Sequence, residues 1–248
     1  MILLYVLLGI LFVLFLYVFF IFICSLFINP QKEYSHNSAF YRFLLNSASI
    51  VALKLLRIKV HTTGLEKLSA NERPLFVCNH RSNFDPIITW CVLRKWQPAF
   101  ISKAENFKVP IFGRFIRKCC FMAIDRENPR KAIVTINRAA KLLEKGEVSV
   151  GVYPEGTRSK SGVLLPFHNG VFKIAQKSNK PIVVLSISGT EKISKNLLKC
   201  KSSHVYLDVL EVIPAEEVRK TKTDYIGEQV QNKILFQLQE RKIGECNQ

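Results

Sequence analysis

Residues 1–28 form an almost unbroken apolar run without a charged side chain, interrupted only by Gly9 and Ser25. As a helix rising ~1.5 Å per residue this run is about 42 Å long, enough to cross a hydrocarbon core of ~30 Å. A cleaved signal peptide is the competing reading. Against it, the run lacks a basic leading segment, exceeds the usual apolar centre of ~7 to 15 residues, and is followed by no small-residue cleavage site. Spanning the bilayer and lying in one leaflet beside a second amphipathic helix both remain open.

Beyond the run, residues 39–56 predict a helix of good formers, with Phe40, Phe43, Leu44, Val51 and Leu55 among scattered basic positions, resting on the membrane or on the domain. From Ile58 the pattern changes to short apolar runs alternating with helical stretches. Residues 75–78, 99–102, 121–124, 148–153, 182–187 and 205–210 predict strands. The best-marked helix covers 129–145: Asn128 suits the N-cap and Pro129 the first turn, Ile133, Ile136, Ala140 and Leu143 share a face, and Gly146 follows the end. A last helix over 224–241 carries Ile226, Val230, Ile234 and Leu238 at steps of four. Strand and helix in alternation predict an α/β fold, a mixed central sheet flanked by helices with an N-terminal hydrophobic membrane helix. The expected partition is an anchor over 1–30, an amphipathic or linking helix over 31–57, and one α/β domain over 58–248.

Charge sharpens the membrane reading. The chain holds 36 Lys and Arg against 19 Asp and Glu, a formal net charge of +17. Lys32, Arg42, Lys54, Arg57 and Lys59 follow the apolar run with only Glu33 opposing them, which places the domain on the cytoplasmic face. Basic residues beside a membrane each add ~1 kcal/mol of attraction to an anionic leaflet. Nucleic acid is the other polyanion such a charge could serve, but no aromatic RNA-binding motif, Cys/His finger spacing or helix-turn-helix occurs, so no nucleic-acid partner is expected. Seven cysteines without a C-x-x-C pair suit reduced thiols in the cytosol. His36, His61, His168 and His204 lack ligand spacing, and no metal is expected.

Candidate chemistry begins after the strand ending at Cys78, in Asn79-His80-Arg81-Ser82-Asn83-Phe84-Asp85. Five residues apart, His80 and Asp85 would lie about 140° from each other on an unbroken helix and could not meet. A turn before the helix could join them, and Asp85 as N-cap with Pro86 at the first helical position supplies that break. Taken alone the pair reads as a cap and a polar loop residue. Its functional reading is general-base catalysis: an imidazole of pKa ~6.5 can take the proton of an alcohol, and a carboxylate fixes its tautomer. Cys78 is better read as a small buried residue ending a strand than as a nucleophile. A second motif, Val152-Tyr153-Pro154-Glu155-Gly156-Thr157-Arg158-Ser159, also follows a strand. The glycines at 146, 151 and 156 are not followed by Gly-Lys-Ser/Thr, so there is no phosphate loop, and no G-x-S-x-G elbow marks a hydrolase.

Together, H-x-x-x-x-D and, some seventy residues on, E-G-T-R resemble the signature of the glycerolipid acyltransferases, with Tyr153 where Phe is commoner. Within that family the resemblance is to the lysophosphatidate (1-acyl-sn-glycerol-3-phosphate) acyltransferases. Residues 100–105, Gly113 and 123–126 resemble the family's acceptor-associated block, and 181–185 its strand bordering the active site. The resemblance implies that His80 is the base on the glycerol hydroxyl and Asp85 orients it. Arg158 would grip the acceptor phosphate with Arg126 assisting. Lys103 would be a second phosphate contact or a charge near the developing oxyanion, and Glu155, Gly156 and Thr157 would shape the binding turn. For Arg126 and Lys103 singly, an exposed solvated charge is the competing reading. It further implies acyl transfer from acyl-CoA or acyl carrier protein to the sn-2 hydroxyl of lysophosphatidic acid, giving phosphatidic acid, with the thioester as co-substrate and no cofactor. The expected partners are an anionic membrane surface, lysophosphatidic acid and the thioester donor. The alternatives are another lysophospholipid acceptor, or an inactive basic module binding membrane or nucleic acid.

Overall fold

The computed structural model describes residues 1–159 and 162–246. The apolar run forms helix α1, Ile2–Leu26, whose side chains are exposed along nearly its whole length. Among the described residues it is the one helix long and apolar enough to cross a membrane, and it suits membrane association.

Helix α2, Ala39–Leu55, docks on the domain through a basic residue. Arg42 is buried beneath the helix. Its guanidinium donates to Asn37 Oδ1 (2.9 Å), Pro98 O (3.0 Å) and Cys119 O (3.3 Å) and lies 4.5 Å from the Trp90 ring centre. It therefore satisfies backbone carbonyls inside the protein and offers no charge to lipid. Phe40 and Phe43, on the same helix, stay exposed.

Seven strands make one sheet: β1 (Ile58–Thr63), β2 (Leu75–Cys78), β3 (Pro98–Lys103), β4 (Met122–Ile124), β5 (Ser149–Val152), β6 (Ile182–Ser188) and β7 (Ser203–Ile213). Their order is β1-β7-β6-β2-β5-β3-β4, and every neighbouring pair is parallel except β6 with β7. β2, β5 and β6 are buried at every position, as parallel strands covered on both faces must be. β1 was not expected as a strand. Its pattern is Ile58 buried followed by mostly exposed positions, because it is an edge strand lying beside β7.

Helices α3 (Asp85–Val92), α4 (Phe112–Lys118), α5 (Pro129–Glu144), α6 (Lys173–Ser178), α7 (Ile193–Leu198), α8 (Ala215–Lys220) and α9 (Thr223–Cys246) complete the domain. Helix α5 begins as its sequence requires, with Asn128 Oδ1 accepting from Lys131 N at 3.2 Å. Ile136, Ala140 and Leu143 are buried, whereas Ile133, one turn nearer the helix start, is 55% exposed. On α9, Ile226, Val230, Ile234 and Leu238 are all buried, so the helix packs on the domain.

This topology decides where chemistry can sit. β2, β5, β3 and β4 are four adjacent parallel strands, so their carboxyl ends open on one edge of the sheet, where α/β proteins place their ligand crevice. His80 follows β2, Tyr153 to Arg158 follow β5, Lys103 ends β3, and Arg126 follows β4.

Candidate active site

His80 and Asp85 meet. Asp85 Oδ2 lies 2.8 Å from His80 Nδ1 and also accepts from Arg81 N (2.6 Å) and Ser82 N (2.7 Å), with the carboxylate wholly buried and the imidazole 17% exposed. A buried carboxylate already accepting two amides assigns the proton to Nδ1, leaving Nε2 as the basic nitrogen for a substrate. The expected N-cap role is corrected here. Asp85 is itself the first residue of α3, behind Phe84, and its side chain makes no bond to the helix amides. It turns back onto the loop, because the three donors at 80–82 are the groups within its reach. The helix start is marked instead by Pro86 in the first turn.

The loop bearing His80 is gripped from both sides of its main chain. Glu155 Oε1 accepts from His80 N (2.5 Å), Glu155 Oε2 accepts from Leu165 N (2.9 Å), and His80 O accepts from Ser159 N (2.9 Å). Glu155 is 3% exposed, and burial raises its carboxyl pKa against the opposing effect of the two amides. Its reach is toward the histidine main chain rather than the open cavity. Gly156, at φ 68°, turns the chain where a Cβ would lie 2.9 Å from His168 Cδ2. Thr157 and Arg158 follow it, exposed.

Sequence reasoning left two supports without a role. Asn79, fully buried, donates from Nδ2 to Ile187 O (2.9 Å) and accepts at Oδ1 from Ile187 N (2.8 Å). Its amide copies a strand's donor and acceptor, pinning the loop that bears His80 to β6. The signal was an amide at the end of a wholly apolar strand, a place where a polar side chain must find partners. Tyr153 stacks on His80, ring centres 4.5 Å apart at 29°, and donates to Thr89 Oγ1 (3.2 Å), which donates to Asp85 O (2.8 Å). Burial pushes the Tyr153 phenol well above its ordinary pKa, so it stays a donor.

One cavity of about 450 Å³ gathers these groups. Its wall includes His80, Lys103, Arg126, Gly156, Thr157 and Arg158 on the polar side and Phe100, Ile101, Ile116 and Phe121 on the apolar side. All three expected cations therefore face the histidine's cavity. Arg126 is exposed in part, yet desolvation lowers its guanidinium pKa, with Glu105 opposing. Of the segment 181–185, residues 182–185 lie in β6 and none lines the cavity; the strand meets the His80 loop farther on, at Ile187, which Asn79 clamps. Gly113 is buried against Phe107, where a Cβ would approach the carbonyl oxygen to 2.4 Å, and so sets the close packing beneath the cavity. Among the described residues no group of three or more His, Cys, Asp or Glu side chains gathers as a metal-ligand set.

An imidazole held by a carboxylate, three cations and an apolar wall thus share one cavity. The family model named Acyltransferase matches residues 59–188, just over half of the chain. The chain belongs to the acyltransferase family.

The matched region runs from β1 to the end of β6 and so contains both motifs. A 1-acyl-sn-glycerol-3-phosphate acyltransferase of Cocos nucifera is 32% identical over 162 residues, 65% of this chain and 52% of that relative. The chain thus spans about half the length of this curated relative. The 1-acyl-sn-glycerol-3-phosphate acyltransferase of Escherichia coli (strain K12) is 29% identical over 174 residues, 70% of this chain and 68% of the relative. The crystal structure of the 1-acyl-sn-glycerophosphate (LPA) acyltransferase PlsC from Thermotoga maritima superposes with a TM-score of 0.69 at 23% identity, covering 92% of this chain and 89% of that one. It shares the acyltransferase fold.

Proposed function

We propose that this acyltransferase moves a fatty acyl group from acyl-CoA or acyl carrier protein to the sn-2 hydroxyl of lysophosphatidic acid, giving phosphatidic acid. The observation that carries the reading is the 2.8 Å His80–Asp85 contact opening on a cavity that also holds Lys103, Arg126 and Arg158. The names of the relatives point to the same acceptor.

In this reading Arg158 and Arg126 hold the phosphate monoester, guanidinium being suited to paired contacts with phosphate oxygens, and Lys103 adds a third charge. His80 Nε2 takes the hydroxyl proton as the hydroxyl oxygen attacks the thioester carbonyl carbon. Asp85 stabilises the resulting imidazolium. The tetrahedral intermediate then collapses, the C–S bond breaks, and the imidazolium returns its proton to the leaving thiolate. No acyl-enzyme and no cofactor enter. The basic flank of α1 supports a cytoplasmic orientation for the domain.

The test supplies purified protein with lysophosphatidate and each donor in turn and follows thiol release. His80→Ala should lose ~10²- to 10⁴-fold in kcat, the usual contribution of a general base. Absence of thiol release with both donors would remove the proposal. Equal rates on acceptors with and without a phosphate monoester would remove the assignment of the acceptor.

A further inference from the structure

Between the 3₁₀ turn Ala104–Lys108 and α4 the chain makes a tight three-residue turn in an unusual conformation. Ile111 has φ 62° and ψ −66°, and Phe112 N donates to Pro110 O at 2.6 Å, the geometry of a γ-turn centred on a β-branched residue. Such backbone is rare for isoleucine and persists only where the surroundings enforce it. Gly113 against Phe107, with Phe115 and Ile116 buried behind, supplies that enforcement.

What the turn achieves is to push apolar side chains outward. Val109 is 46% exposed and Phe112 37%, and Phe112 is at the same time part of the wall of the His80 cavity. The turn also adjoins the apolar helix: Arg114 Nη1 donates to Ser25 O near the end of α1 at 3.1 Å, and Leu26 and Phe27 beside it are 52% and 78% exposed. Around the turn, residues 103–118 carry Lys103, Lys108, Arg114, Arg117 and Lys118 against the single acid Glu105.

We infer that the turn at residues 109–112 inserts into an anionic bilayer as a second contact, continuous with α1, and sets the mouth of the catalytic cavity at the hydrocarbon boundary. Apolar tips ringed by cations are the composition that lipid interfaces hold, the tips entering the acyl region and the cations meeting the headgroups. Lipid chains then pass Phe112 to reach His80 without crossing water. The insertion stands apart from the chemistry proposed above, whereas this route rests on it.

The experiment places Val109→Trp in the full chain reconstituted in vesicles of phosphatidylcholine and phosphatidylglycerol, with the signal of the two native tryptophans subtracted. The new indole should emit blue-shifted, be quenched by bromines along the lipid acyl chains, and be shielded from aqueous acrylamide. Quenching by acrylamide and not by brominated lipid would overturn the insertion. For the route, Val109→Asp should raise KM for long-chain lysophosphatidate in the same vesicles several-fold while leaving turnover of a water-soluble short-chain acceptor unchanged. An equal effect on both acceptors would overturn the route. Lack of turnover by the unsubstituted protein would sink the acyl-transfer reading and leave the quenching result standing.

Discussion

Glu155→Gln separates a binding role from a positioning role for the motif's acid. The buried carboxyl accepts one backbone amide on each oxygen, His80 N at 2.5 Å and Leu165 N at 2.9 Å. A carboxamide of the same shape keeps one acceptor and presents an NH₂ to the other amide. One net hydrogen bond, ~1 kcal/mol, is lost, and a buried N–H facing a donor adds ~1–3 kcal/mol, so stability should fall by about 2–4 kcal/mol where the loop cannot relax. Relaxation would instead displace His80, and a shift of ~1 Å at a reacting group costs on the order of 10²-fold in rate. Denaturant unfolding in detergent measures the first effect and steady-state kinetics with lysophosphatidate the second. The expected pattern is kcat reduced ~10- to 100-fold with KM for the acceptor changed by less than about twofold, the signature of a group that acts on the transition state and not on uniform binding. A raised KM at unchanged kcat and unchanged stability would refute this reasoning and return Glu155 to substrate binding.

Three further outcomes follow from the same contacts. Tyr153→Phe keeps the ring on His80 and deletes the 3.2 Å bond to Thr89, so it should cost ~0.5–1.5 kcal/mol of stability and leave kcat within a few-fold; a loss as large as that of His80→Ala would mean that the phenol itself takes part in the reaction. Because burial raises the Glu155 pKa in the folded state, the fold binds a proton more tightly than the unfolded chain, and its contribution to stability should decline as pH rises through the window above the ordinary carboxylate value. Unfolding curves across that window should show this slope in the natural protein and lack it in Glu155→Gln. Among the described cysteines, Cys200 is exposed, whereas burial pushes Cys91 and Cys120 up to about 11 and Cys119 up to about 12. Alkylation of the native protein at mildly alkaline pH, read by mass spectrometry, should mark Cys200 and spare these three until the chain unfolds.

The strands of the centre were legible because they are buried on both faces. The run at 75–78 is apolar throughout and that at 182–187 is broken only by Ser186, and the first coincides with β2 while the second falls within β6. β1 was not legible, since an edge strand needs no apolar alternation when its partner is the rest of the sheet. Arg42 was misleading. Counted as one of several cations beside the membrane, it is instead consumed by two carbonyls from distant parts of the chain and by the neighbouring Asn37. Glu155 was placed in a binding turn because its neighbours Gly156 and Arg158 suggested one, while the amide it holds belongs to a residue 75 positions earlier.

The sequence by itself determined the chemical types and their order: an apolar helix free of charge, an imidazole five residues before a carboxylate, and an arginine after a strand-ending turn. These are local properties, fixed by side-chain identity and by the short-range pattern that makes strand or helix. Which groups face one another was decided only by tertiary structure. Parallel pairing of β2, β5, β3 and β4 sends four loops to one edge, and backbone amides, which carry no sequence signature, choose the side chains that will hold them.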